Sequence, residues 1–230
     1  MRIHIASRFN GPPESGNGGY SCGLIARTIG QPVRVRLQQP VPLNQDLVIE
    51  PGAAGQWEVH AGSELIATAA IHEVKAEVPQ APSWVEAFGA SQHYAGFAAH
   101  NFPSCFTCGP ARVQGDGLRI FAGAVPGTNL LAAPWRPDAS LADADGRLPP
   151  EFVWSSLDCP GFWATCSASV ALLGELAVDV AHVPRIDEPC VIIAWRIGGD
   201  GRKHYAGTAL FDSSGERCAV GVATWIELRS

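Results

Sequence analysis

Asp158 stands among apolar neighbours in RLPPEFVWSSLDCPGFWAT, residues 147–165, whose other acid, Glu151, falls in a first helical turn where it suits the dipole. A carboxylate in the position of Asp158 can act as a general base on water or attack an electrophilic carbon directly. It can equally bond a nearby backbone group, because Cys159-Pro160-Gly161 is able to kink or end a helix there. A second candidate lies far upstream, where Asn17 precedes Gly18 and Gly19. If a helix starts at these glycines, its first N–H groups lack intrahelical acceptors and its positive dipole end suits a developing oxyanion. Glycine also lets a reacting group approach the backbone closely, although glycine pairs mark ordinary loop-to-helix junctions as well. The amides of Asn10 and Asn17 can orient a substrate, close a turn or cap a helix.

A third stretch, HNFPSCFTCGPARVQGDGLRI (100–120), carries Cys105 and Cys108 at the spacing of half a zinc knuckle. A tetrahedral site needs two further ligands; His100 is the near candidate, and no second Cys pair of that spacing exists. No metal and no cofactor is therefore assigned, and the segment is expected to be a tight loop edging a cleft, with Gly109, Gly115 and Gly117 permitting turns. Arg112 and Arg119 are candidates to hold a phosphate there, or are simply exposed.

Two helices must position these groups. GNGGYSCGLIARTIG (16–30) places Tyr20, Leu24 and Ile25 at helical spacing behind Asn17 as cap. The 147–165 stretch opens on Pro149 and Pro150, which a first helical turn tolerates. Each helix precedes a run of strands. VRVRLQQ, DLVIE, QWEVHAG and ELIATAAIHEV follow the first; GELAVDVAHV, CVIIAWRI, KHYAGTALF and RCAVGVATWIEL follow the second. GGDG (198–201) and DSSG (212–215) read as hairpin turns. The two series echo each other in order: VPLNQDLVI (41–49) parallels VPRIDEPCVII (183–193), and SELIATAAI (63–71) parallels GERCAVGVA (215–223). An internal duplication follows, with an N-terminal repeat over 1–88, a connecting segment over 89–112 and a C-terminal repeat over 113–230. A further helix is expected in PSWVEAFGASQHYAGF (82–97).

The chain has 22 acidic and 16 basic residues, a formal charge of -6, and no basic cluster beyond pairs such as Arg34/Arg36 and Arg202/Lys203. That balance excludes a nucleic-acid-binding surface. No apolar run reaches the roughly 20 residues that cross a bilayer, so no membrane association is expected. The N-terminal residues lack the pattern of a signal peptide, and seven scattered cysteines suit a reducing compartment, so a cytoplasmic location is expected.

The one-helix-then-four-strands pattern, twice over, resembles the hotdog fold in its double form. Its most specific piece is similar to phenylacetate-pathway-type hotdog acyl-CoA thioesterases. That family carries an Asn, then His-Gly-Gly at the start of the central helix, then an Asp nine residues after the His. The first Gly offers its N–H to the thioester carbonyl oxygen and the Asp acts on the carbonyl carbon, the two coming from different protomers. In this sequence the first half has Asn10 and Asn17-Gly18-Gly19, with Asn in place of the His and Ala26 where the acid belongs. The second half has Asp158, but nine residues earlier the triplet is Pro149-Pro150-Glu151. Together the halves hold one full set, and the symmetry-related position would be dead, since Pro150 has no N–H to give.

The resemblance implies an α+β double hotdog, two repeats each with a long central helix packed on an antiparallel sheet. It implies hydrolysis of an acyl-CoA or acyl-carrier thioester, with Asp158, Gly18, Gly19 and Asn17 catalytic and Asn10 binding substrate; Arg112 and Arg119, read from the 100–120 loop, are the further substrate-binding candidates. It also implies that the chain associates further into homo-oligomers. Because the His of the triplet is absent, a non-catalytic acyl-CoA binder or scaffold is the alternative, and an enoyl thioester hydratase or dehydratase the third.

Overall fold

The structure is a computed structural model, and it describes residues 1–166 and 169–229. The first half forms β1 (Arg2–His4), α1 (Gly18–Ile29), β2 (Val33–Leu37), β3 (Asp46–Pro51), β4 (Trp57–Ala61) and β5 (Glu64–Ile71). After α2 (Trp84–Ser91), the second half forms β6 (Gly123–Ala124), β7 (Leu130–Trp135), α3 (Pro150–Ser156), α4 (Cys159–Thr165), β8 (Ala171–Val180), β9 (Cys190–Asp200), β10 (Lys203–Phe211) and β11 (Arg217–Glu227).

All eleven strands join one antiparallel sheet in the order β1-β3-β4-β5-β2-β8-β11-β10-β9-β7-β6. The first five strands and the set β7-β9-β10-β11-β8 follow the same order around their helices, and the two sets meet at β2 and β8, where Val35 pairs with Leu176. The echoed segments lead into or lie on equivalent strands, β3 with β9 and β5 with β11. DSSG is a turn, with Asp212 Oδ1 accepting the N–H groups of Ser214 and Glu216 and Gly215 left-handed at φ 83°; of GGDG only Gly201 (φ 55°) lies in the turn, which it forms with Arg202, while Gly198–Asp200 still belong to β9.

α1 begins where its cap predicts. The Asn17 side chain accepts the Tyr20 N–H at 2.9 Å, and Gly30 ends the helix at φ 73°. Its buried face, including Tyr20, Leu24 and Ile25, joins Val153, Trp154 and Leu157 in the main core.

Three expectations need correction. The second helix is not one long element: it breaks at Leu157-Asp158 into α3 and α4, because Pro160 lacks the N–H that would continue the ladder. Strands β1, β6 and β7 were not legible, being short or, as LLAAPW, lacking β-branched residues. Residues 82–88, expected to close the first repeat, begin the helix that packs on the second half. Ala87 and Ala90 of α2 meet Ala132, Val191, Ile193 and Ala209, whereas Ala133, Ile192 and Leu210 of the same strands face the main core. Alternate residues point to opposite faces, so β9 is buried on both sides, which explains its unbroken apolar run.

Candidate functional site

Asp158 falls in the break between α3 and α4 and is 2% exposed. Its Oδ2 accepts two hydrogen bonds from the first half, one from the Gly19 N–H and one from the Asn17 Nδ2, both at 2.9 Å. Among the described residues its Oδ1 has no hydrogen-bond partner. Burial raises the pKa from 3.8 to about 7; the nearby Cys105 thiol adds to the rise, while the Gly19 N–H and the Asn17 amide oppose it.

The approach of the two halves depends on missing Cβ atoms. A Cβ on Gly19 would lie 2.5 Å from Asp158 Cβ and 2.8 Å from the Trp154 carbonyl oxygen. One on Gly23, a turn later, would lie 2.6 Å from Trp154 Cβ and 2.8 Å from Glu151 Cα. α1 and α3 therefore cross backbone against side chain, and that contact carries the carboxylate to the start of α1.

Asn17 is 1% exposed and fully engaged. Besides Asp158, its amide lies 3.8 Å from the Cys105 sulfur, and its oxygen accepts from Tyr20 and from the Ser155 hydroxyl at 3.1 Å. Gly19, expected among the oxyanion donors, spends its N–H on the carboxylate. Gly18 is the first helical residue, so its N–H has no intrahelical acceptor, and it lines a cavity with Asp158.

That cavity measures about 260 Å³. Phe162, Trp163, Leu173, Trp225 and Ile226 contribute apolar wall, and the indole N–H groups of Trp163 and Trp225 have no partner. Asn17, Gly18 and Asp158 lie on its polar side, together with His100, Cys105, Cys108 and Cys159.

The expected substrate-binding residues are placed differently. Asn10, Arg112 and Arg119 are not among the residues lining the cavity. Asn10 is 6% exposed; its amide donates to the carbonyls of Gly11 and Pro12, and its oxygen accepts from Arg112. The Arg112 guanidinium also bonds the Ser104 and Arg8 carbonyls and both oxygens of Asp116. Arg119 donates to the Arg112 carbonyl and lies over the Phe121 ring. Asn10 and Arg112 clamp the 100–120 loop onto the N-terminal segment, and their donors are committed to protein rather than open to a phosphate; Arg119 bonds within that loop. Replacing Arg112 with Lys should cost about 1–3 kcal/mol through the loss of these charge-assisted bonds. A urea melt with an unchanged midpoint would contradict this clamp.

At the corresponding places in the other helix pair, Pro150 opens α3 and Ala26 is a buried residue of α1. An ion pair between Arg27 Nη1 and Glu151 Oε1 (2.8 Å) occupies the region. Burial raises the Glu151 pKa, with Arg27 opposing the rise.

Sequence reasoning missed Cys159. Its sulfur lies 3.6 Å from that of Cys105, 54 residues away, and 4.0 Å from Asp158 Oδ2. Nothing local in the sequence ties it to the Cys105-Cys108 loop. Within the trio Cys105 is held well below the ordinary thiol range by donation from Cys108 and Cys159, with backbone N–H groups of Cys108 and Thr107 adding to it. Burial pushes the Cys108 thiol up.

No protein-family model matches the sequence, and no curated protein matches it. Solved structures do match over nearly the whole chain. A candidate thioesterase from Novosphingobium aromaticivorans DSM 12444 is 14% identical, with 99% of this chain and 95% of that one covered and a TM-score of 0.63. A candidate thioesterase II from Thermobifida fusca YX is also 14% identical, covering 100% and 93% at a TM-score of 0.63. The tesB protein of Mycobacterium avium subs. paratuberculosis is 14% identical, covering 93% and 88% at 0.58. At this identity the likeness is one of fold: the chain has the hotdog-type α+β architecture, helices on an antiparallel sheet, that these structures share.

Proposed function

We propose that the chain is a double hotdog that hydrolyses an acyl thioester of the CoA class, with Asp158 as the reacting carboxylate. The observation that carries this reading is the asymmetry of that carboxylate. One oxygen is fixed by the Gly19 N–H and the Asn17 amide, while the other is left without a partner on a residue that lines an apolar cavity. A buried acceptor without a partner is costly, and such costs concentrate where chemistry needs them. Asp158 takes a proton from water, the water oxygen adds to the thioester carbon, and the Gly18 N–H receives the developing oxyanion. Collapse breaks the C–S bond, and the proton held by Asp158 passes to the leaving thiolate. Asn17 orients the carboxylate in this scheme, not the substrate.

The cavity is smaller than the roughly 300–1,000 Å³ of sites that enclose drug-sized ligands. It suits an acyl group, leaving the nucleotide end of CoA outside. Thiol release from a panel of acyl-CoAs tests the assignment. The 2% exposure of Asp158 favours a second reading, a non-catalytic acyl-CoA binder. Saturable binding without thiol release from any member of the panel would establish that reading instead.

The pH profile offers a separate check. The reacting form is the carboxylate, and its pKa in the ligand-free chain is raised to about 7, so kcat/KM should rise with pH through about 7 and then level off. A kcat/KM that is flat between about pH 5 and 8 removes Asp158 from the base's role.

A further inference from the structure

Three buried thiols converge at one point of the cavity wall, and the hydrolysis scheme uses none of them. The sulfurs of Cys105, Cys108 and Cys159 all lie within 4.8 Å of one another. Zinc–sulfur bonds of about 2.3 Å in a tetrahedron imply sulfur–sulfur separations of about 3.8 Å. The Cys105–Cys159 pair is already at 3.6 Å, so the trio encloses a cation of that size with sub-ångström adjustment.

The loop is built to present these sulfurs. Cys105 and Cys108 are three positions apart on a turn that closes through Gly109, whose N–H donates to the Cys105 carbonyl at 2.9 Å. A Cβ on Gly109 would lie 2.6 Å from the Cys105 nitrogen, so a glycine is what lets the chain fold over the first thiol. The third thiol comes from the start of α4, next to Asp158.

His100 is the remaining nearby donor, with Nε2 3.3 Å from the Cys108 sulfur. Its Nδ1 accepts the Phe102 N–H at 2.9 Å, so in the neutral ring Nε2 carries the proton and donates to sulfur. That role supports a ligand rather than supplying a fourth one. All three cysteines line the Asp158 cavity, which leaves the fourth position to a water or a cavity ligand.

We propose that Cys105, Cys108 and Cys159 form a three-thiolate site for one zinc-class divalent cation, open to the cavity that Asp158 lines. A borderline-soft ion bound by thiolates fits this donor set, whereas magnesium or calcium, which need oxygen ligands, do not. The site stands or falls independently of hydrolysis, because its test reads the metal and not turnover.

The test is titration of the full-length, phosphine-reduced chain with Co²⁺ under inert gas. Expected is one Co²⁺ per chain, with a thiolate-to-cobalt charge-transfer band in the near ultraviolet, displaced by Zn²⁺. X-ray absorption at the zinc edge of the same wild-type chain should then count three sulfur neighbours, which needs no variant. Cys108→Ser and Cys159→Ser should each lose the band, while Cys218→Ser, beside His182 and Asp212, should keep it. A wild-type chain without the band, fewer than three sulfurs at the zinc, or a band retained by Cys108→Ser overturns the site. So does a band lost only in Cys218→Ser.

Discussion

Asp158→Asn is expected to leave a folded chain with kcat/KM for its best acyl-CoA reduced by about 10²–10⁴-fold, the usual contribution of a positioned general base. Asn is nearly isosteric and its carbonyl can still accept from the Gly19 N–H and the Asn17 amide, so the geometry survives while the base is lost. Stability supplies an independent readout with a definite sign. The folded-state pKa of Asp158 is raised, from 3.8 to about 7. Between those values the folded chain holds a proton that the unfolded chain has released, so stability falls as pH rises through the window and is flat above it. About three units correspond to about 4 kcal/mol. Asp158→Asn removes this dependence and should be more stable than the parent above pH 7 by up to that amount. Denaturant melts across the window check the sign. Full hydrolysis by the variant, or a melt whose pH dependence it does not change, would remove Asp158 from the site.

The second large effect concerns the helix crossing. Gly19→Ala and Gly23→Ala should each destabilise the chain by roughly 1–3 kcal/mol, a fall of several degrees in Tm for a chain of this length. Replacing a helical glycine with alanine ordinarily stabilises by about 0.5–1 kcal/mol, so the sign itself is diagnostic. At Gly19 the new methyl meets Asp158 Cβ and the Trp154 carbonyl, and at Gly23 it meets Trp154 Cβ and Glu151 Cα. All four neighbours are backbone or Cβ atoms, which no side-chain rotation moves away. Gly89 in α2 has nothing within 4 Å of its would-be Cβ, and Gly89→Ala should raise Tm slightly. Gly19→Ala should also impair hydrolysis, because parting the helices separates Asp158 from Asn17. Equal Tm gains at positions 19 and 89 would show that the crossing is looser than the distances state.

Much of the architecture was written in local pattern. The 16–30 helix and its Asn17 cap, eight of the strands and the DSSG turn follow from period, β-branching and turn chemistry, which act over a few residues. The parallel order of the two strand series was legible because the echoed segments lead into strands at matching places in the sheet, and Asp158 stood out as a candidate because an acid in an apolar run is conspicuous.

The partnerships were a different matter. That Gly19 rather than Gly18 bonds the carboxylate, that Asn10 and Arg112 clamp a loop, and that Cys159 joins two cysteines 51 and 54 residues away were decided only by tertiary structure. The break at Leu157-Asp158 turns the acid toward α1, and glycines 19 and 23 let the helices close by a distance no sequence window contains. Hydrogen bonds and metal geometry are set at a few tenths of an ångström, and that precision comes from packing two halves of the chain together, not from the propensity of either.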